Sequence, residues 1–185
     1  MQNKELHRIA STAIIVRNGP STRSTNAQGG ERSRTTGSGR AKYLITRWGL
    51  NKKAFPGKWT VPGGGLETND YINLPKTTHD HWYFAIEKSL RREIKEEVNL
   101  EVRKLNYLLD IAFLRPDKIP VIILSFWGFY KSGKIKLDED SIDYQWVTLK
   151  ELKKYDLVEG LSGEIEMVDK ILKGRNGERI KYRKK

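Results

Sequence analysis

The sequence predicts an α+β domain, and three observations carry that prediction. β-rich and helix-periodic segments are mixed along the chain without the regular strand–helix–strand alternation of a doubly wound parallel sheet. The 185 residues, 37% of them apolar, fit a single domain of the usual size, roughly 100–200 residues. No internal repeat recurs at a period of about 20–50 residues, which excludes solenoids and propellers. A chain of this length buries about two-thirds of its unfolded surface, so it folds without a disulfide or metal staple. With no cysteine, disulfide frameworks, thiolate zinc sites, iron–sulfur clusters and cysteine nucleophiles are excluded.

Taken in order, residues 8–17 (RIASTAIIVR) are β-rich and predict a strand. Residues 18–40 hold almost no large apolar side chain. They cannot offset the entropy of ordering, which predicts a mobile polar loop. Residues 41–47 resume as a strand and make the pair a hairpin with a long tip. A strand at 59–61 runs into Pro62-Gly63-Gly64-Gly65, read as a glycine-rich turn. After a second loop, residues 82–98 predict a helix, with Thr78 or Asp80 capping its start. Residues 103–114 and 119–130 form two long β-rich runs around a turn at RPDK. Residues 144–147 predict a short strand, 148–155 a short helix capped by Thr148, and 161–172 a last helix stopped by Gly174. Trp48, Phe55, Trp127 and Trp146 read as core or pocket-wall packing.

The net charge is +12, but it is unevenly placed. Residues 170–185 contribute +7 and residues 19–40 contribute +3, which leaves +2 for everything else. Basicity therefore belongs to a tail and a loop, where it serves solubility and weak polyanion binding. The first ten residues lack the apolar core of a signal peptide. The longest apolar run, residues 121–130, is far short of the roughly 18 that span a bilayer. A soluble, cytoplasmic protein with no membrane partner is the expectation.

The most informative stretch is Arg92-Glu93-Ile94-Lys95-Glu96-Glu97-Val98-Asn99-Leu100. Ile86, Leu90, Ile94 and Val98 recur every four residues and form one apolar stripe. Lys88, Arg91 and Lys95 fall on the wet side, and Arg92 is spaced to pair with Glu96. Glu93, Glu96 and Glu97 share one arc at the margin of the apolar face. Carboxylates crowded at a partly buried margin repel one another. A divalent cation relieves that repulsion, and an all-oxygen ligand set suits Mg²⁺ or Mn²⁺. Gly63 to Gly65 precede the helix, and such backbone can approach a phosphate or offer a carbonyl to a metal.

These residues resemble the signature of the Nudix hydrolase family: a glycine, five residues, a glutamate, seven residues, then Arg-Glu-apolar-x-Glu-Glu-x-Gly-apolar. Gly64 matches the first glycine and residues 92–100 match the second half. The approach from Gly57 to Glu67 is similar to the family's lead-in, and Tyr144 to Val147 with Leu149 to Leu152 resembles its later strand and short helix. The resemblance covers roughly residues 8–172. Three departures stand out. Asp70 occupies the place of the first glutamate; 22 positions separate it from Arg92 where the family has 8, an insertion of 14 within residues 71–85. Asn99 replaces the last glycine, and asparagine tolerates the left-handed conformation required there.

The resemblance implies an α/β/α sandwich with a central mixed sheet, spanning residues 1–173 and followed by a basic tail at 174–185. It implies Mg²⁺-dependent hydrolysis of a phosphoanhydride in a nucleoside diphosphate linked to another moiety, a nucleoside triphosphate or a nucleotide sugar. Glu96 and Glu97 would hold the metal, with Glu93 as further ligand or as base and the Gly64 carbonyl as a backbone ligand. Arg92 would orient the glutamates. A further acid would come from Glu139, Asp140 or Asp143. Gly63 and Gly65, with His79, His81 and Trp82 of the insertion, are candidates to face substrate. Two alternatives stay open at this point: a catalytically silent nucleotide-binding module, and an RNA end-processing enzyme that uses the basic tail. A homodimer is also open.

Overall fold

A computed structural model describes residues 6–18, 40–52, 54–115 and 117–175. Most of the polar loop at 18–40 and of the basic tail at 174–185 lies outside the described residues. Strand β1 (Arg8–Arg17) is the centre of the molecule. Strand β2 (Lys42–Trp48) pairs with its end antiparallel, Val16 opposite Tyr43, as the hairpin reading requires. Strands β3 (Trp59–Thr60) and β4 (Gly63–Gly65) then pair antiparallel with β2 and β1. Helix α1 (Ala85–Val98) follows, and then β5 (Glu101–Val102), β6 (Asn106–Leu114) and β7 (Pro120–Ser132). Strand β8 (Ser141–Val147) lies against β2, and α2 (Leu161–Leu172) closes the described fold.

The sheet is mixed because β7 runs parallel to β1 over nine register pairs, Arg8–Val121 to Val16–Phe129, while every other pairing between the described strands is antiparallel. Successive β1 side chains point to opposite faces. Ala13 and Ile15 join Leu44, Leu90, Ile94 and Val98 beneath α1, whereas Ile14 and Val16 join Tyr43, Ile45, Ile165 and Val168 beneath α2. A strand covered on both faces reads as a continuous apolar run, and AIIV at 13–16 is wholly buried. The α/β/α sandwich around a mixed sheet is thus the observed architecture.

Several expected boundaries move. Residues 63–65 are a strand hydrogen-bonded to β1 and not a turn. Helix α1 begins at Ala85, three residues later than expected, with Phe84 at its start in left-handed conformation (φ 62°) and no side-chain cap, so neither Thr78 nor Asp80 caps it. The run expected from 103 begins at Asn106, preceded by the two-residue β5, and β8 begins at Ser141 instead of 144. The expected helix at 148–155 shrinks to a 3₁₀ turn, Leu152–Lys154. There Glu151 accepts from Thr148 N–H and Oγ1, reversing the expected cap. Asn99 ends α1 as expected, left-handed at φ 54° with its N–H on the Lys95 carbonyl.

Candidate functional site

Helix α1 lays its apolar stripe on the sheet, with Leu90, Ile94 and Val98 almost fully buried. That docking brings the next face of the helix against β4. Glu97 Oε2 accepts the Gly63 N–H at 2.9 Å. Gly63 has φ 155°, and a Cβ there would overlap the Ser11 carbonyl of β1, so only glycine fits between the strand and the acid. A Cβ on Gly64 would overlap the Glu93 carboxylate. The two glycines let backbone lie directly on two acids.

Arg92 gathers the remaining carboxylates. Its Nε and Nη2 donate to Asp70 Oδ1 and Oδ2 at 2.5 and 3.1 Å, and Nη1 donates to Glu96 Oε2 at 2.7 Å. Nη2 also lies 2.9 Å from Glu93 Oε1. Asp70 therefore reaches α1 despite the insertion, and its second oxygen accepts the Glu67 N–H at 2.9 Å. The reason is the shape of the inserted segment. Tyr71 and Trp82 pack their rings 5.5 Å apart. The Trp82 indole N–H donates to the Leu74 carbonyl at 2.8 Å, and Thr77 N–H donates to the His81 carbonyl at 2.9 Å. The loop closes on itself and returns the chain to α1 beside its point of departure.

The acids are held in opposite electrostatic states. The Arg92 guanidinium holds the Asp70 carboxyl down at about 2, and the same ion pairs raise the affinity of Arg92 for its proton. Burial pushes Glu97 up to about 8; Glu93 and Asp138 add to the rise, while the Gly63 N–H and the charge of Lys52 oppose it. Burial also raises Glu93, opposed by Arg92. Among the described residues Glu97 has no ion-pair partner, the condition under which a buried carboxylate is most costly.

The expected residues divide accordingly. Arg92, Glu93, Glu96, Glu97, Gly63 and Gly64 converge on one surface, with Gly65 continuing β4 beside Arg8. Trp82 is spent on its own loop, the His81 Nδ1 lies 3.4 Å from Thr78 Oγ1, and the His79 side chain is almost fully exposed. Of the later acids, Asp140 pairs with Lys52 at 2.5 Å and Asp143 accepts its neighbour's N–H. Glu139 has no ion pair among the described residues. Sequence reasoning missed Asp138, whose N–H donates to the Glu97 carbonyl at 3.2 Å, and Lys52. The DED run at 138–140 was the available signal for the first; nothing local marked the second.

Whether these residues suit a divalent cation is a matter of their donors. Among the described residues no three Asp, Glu or His side chains are already gathered around one point, and Glu96 is turned to Arg92. The set is nevertheless all oxygen, two of its acids are buried or half-buried, and Glu97 lacks a cation. That chemistry fits a hard ion such as Mg²⁺ or Mn²⁺.

An eight-stranded mixed sheet between two helices, with an Arg-Glu-x-x-Glu-Glu helix packed on a glycine strand, defines a class of nucleotide hydrolases, and comparison agrees. The family model of the NUDIX domain matches residues 35–166, and the chain belongs to the Nudix family as a pyrophosphohydrolase. The nucleoside triphosphatase NudI of Escherichia coli is 30% identical over 125 residues, 62% of this chain and 79% of that protein. The MutT protein of Methanosarcina mazei superposes with a TM-score of 0.61 at 22% identity, over 92% of this chain and 98% of the other. The NUDIX domain of Shewanella oneidensis NrtR, solved with ADP ribose, gives 0.62 at 13% identity, over 90% and 89%. No described helix is long and apolar enough to cross a membrane.

Proposed function

We propose that the protein hydrolyses a phosphoanhydride of a nucleoside triphosphate, with Mg²⁺ as the ion and Mn²⁺ as its substitute. The observation that carries this reading is Glu97, a half-buried carboxylate held by the Gly63 N–H beside Glu93 with no cation partner among the described residues. Retaining such an acid costs stability, and a cation-dependent reaction on an anionic substrate gives it a use. The NudI likeness favours a triphosphate over a nucleotide sugar.

Glu97, Glu93, Glu96 and the Gly64 carbonyl would hold the ion, which when bound neutralises phosphate charge and acidifies water at the reacting phosphorus. Where it is not a ligand, Glu93 would serve as the base: burial raises its affinity for a proton, and Arg92 lies 2.9 Å away to orient it. Arg92 and Asp70 lock the first half of the constellation. The Gly63 N–H fixes the Glu97 carboxylate against β4.

The test is phosphate and pyrophosphate release in Mg²⁺ from canonical and oxidised nucleoside triphosphates, nucleotide sugars, dinucleoside polyphosphates and capped RNA, with Glu97→Gln as blank. Triphosphate turnover lost in the variant is expected. Turnover confined to sugars or capped RNA would replace the substrate, and inactivity on every class with nucleotide binding intact would replace the reaction.

A further inference from the structure

Two loops meet beside Glu97, and one of them brings a lysine to the site. The segment 133–140 runs along the end of α1: Lys136 N–H donates to the Val98 carbonyl at 3.3 Å, and Asp138 N–H to the Glu97 carbonyl. The segment 49–52 approaches from the end of β2, where Gly49 N–H donates to the Asp140 carbonyl at 2.9 Å. That backbone bond already joins the loops. Above it, Lys52 Nζ lies 2.5 Å from Asp140 Oδ2, with the two side chains 34% and 53% exposed. An open ion pair of this kind contributes little to stability, so it adds little as a strap.

Its position is more telling. Lys52 is the cation whose charge opposes that of Asp138 on Glu97. Arg92, another cation of the site, is saturated by Asp70, Glu93 and Glu96. Lys52 instead holds a single, half-exposed carboxylate that it can exchange. A compact ammonium on a flexible stem suits such an exchange, and a phosphate offers more charge and more acceptor oxygens than the carboxylate it displaces.

We infer that Lys52 binds substrate phosphate: on entry of the nucleoside diphosphate moiety its ammonium leaves Asp140 Oδ2 for a phosphate oxygen, and Asp140 is its resting partner. This inference rests on the nucleotide-hydrolase reading. It makes the two residues act in opposite directions. Lys52 contributes to the bound state, whereas Asp140 stabilises the empty one.

The experiment is calorimetric binding of α,β-methylene nucleoside diphosphates of the common bases, in Mg²⁺, to the full chain and to Lys52→Ala, Lys52→Arg and Asp140→Asn. Melting temperatures are recorded alongside. Lys52→Ala is expected to weaken the analogue that binds wild type by about tenfold to a hundredfold, the loss of one charge-assisted hydrogen bond. Lys52→Arg should keep most of the affinity, and Asp140→Asn, by freeing the ammonium, should tighten it several-fold. Equal falls in melting temperature with unchanged affinities would show a mere strap and overturn the inference. So would weaker binding in Asp140→Asn, or failure of wild type to bind any analogue. Tight, Lys52-dependent binding without hydrolysis would retain the inference and defeat the proposed reaction.

Discussion

Asp70 and Glu97 flank the same short helix face and have opposite fates. Asp70 has a resident cation: Arg92 grips it with two hydrogen bonds, and its carboxyl is held at about 2. Glu97 has one backbone N–H and two acidic neighbours, and burial takes it up to about 8. One end of the site is an assembled ion-pair network that orients side chains. The other is an electrostatic debt left open where β4 meets α1. On the proposed function, the contrast separates the part of the site that stabilises the fold from the part that the fold tolerates for the sake of a ligand.

The largest break in this contrast comes at Glu97. Glu97→Gln should lower kcat by about 10²–10⁴-fold, the range for losing a charge-stabilising or proton-transferring group, while preserving or raising the melting temperature in chelator. Steady-state kinetics and thermal melts read both. Gly64→Ala should cost about 10²-fold in kcat/KM, because the new Cβ overlaps the Glu93 carboxylate and pushes it aside. The phosphate-release assay measures it, and unchanged activity would show that Glu93 has room to give. Asp70→Asn should change stability in the opposite sense to Glu97→Gln. It forfeits about 1.5–3 kcal/mol of charge-assisted hydrogen bonding, readable by denaturant titration, with about a tenfold loss of activity through a loosened Arg92.

The two ends also differ in how far the sequence disclosed them. Periodicity placed Leu90, Ile94 and Val98 on one stripe and the three glutamates beside it, so α1 and its docking face were legible. The β-rich run at 8–17 was legible as a strand, though its cover on both faces was not, and α2 emerged with its bounds unchanged. The resemblance pointed to Arg92 and to Gly64. What stayed hidden depends on contacts between residues far apart in the chain. Gly63–Gly65 read as a turn because a glycine run carries no β preference; it is a strand because β1 offers it a partner. The insertion puts 22 positions between Asp70 and Arg92, and spacing cannot show that a Tyr71–Trp82 contact closes the loop and cancels its length. Lys52 and Asp138 come from two loops joined by the Gly49–Asp140 backbone bond, and no local pattern announces such a meeting.

The opposed carboxyls predict opposed pH dependences. Asp70, with its folded value lowered, contributes stability that is present above about pH 4 and is lost as pH falls toward about 2. Glu97, with its folded value raised from 4.5, contributes stability that is present below pH 4.5 and is lost as pH rises through about 8. A bound divalent cation should cancel the second effect and leave the first untouched. The most direct measurement is therefore the melting temperature of wild type and Glu97→Gln at pH 5.5 and pH 8.5, each in chelator and in Mg²⁺. The account predicts that, in chelator, wild type falls relative to the variant as pH rises, and that Mg²⁺ restores wild type at pH 8.5 alone. Parallel pH profiles for the two proteins, with Mg²⁺ stabilising both equally or neither, would contradict it.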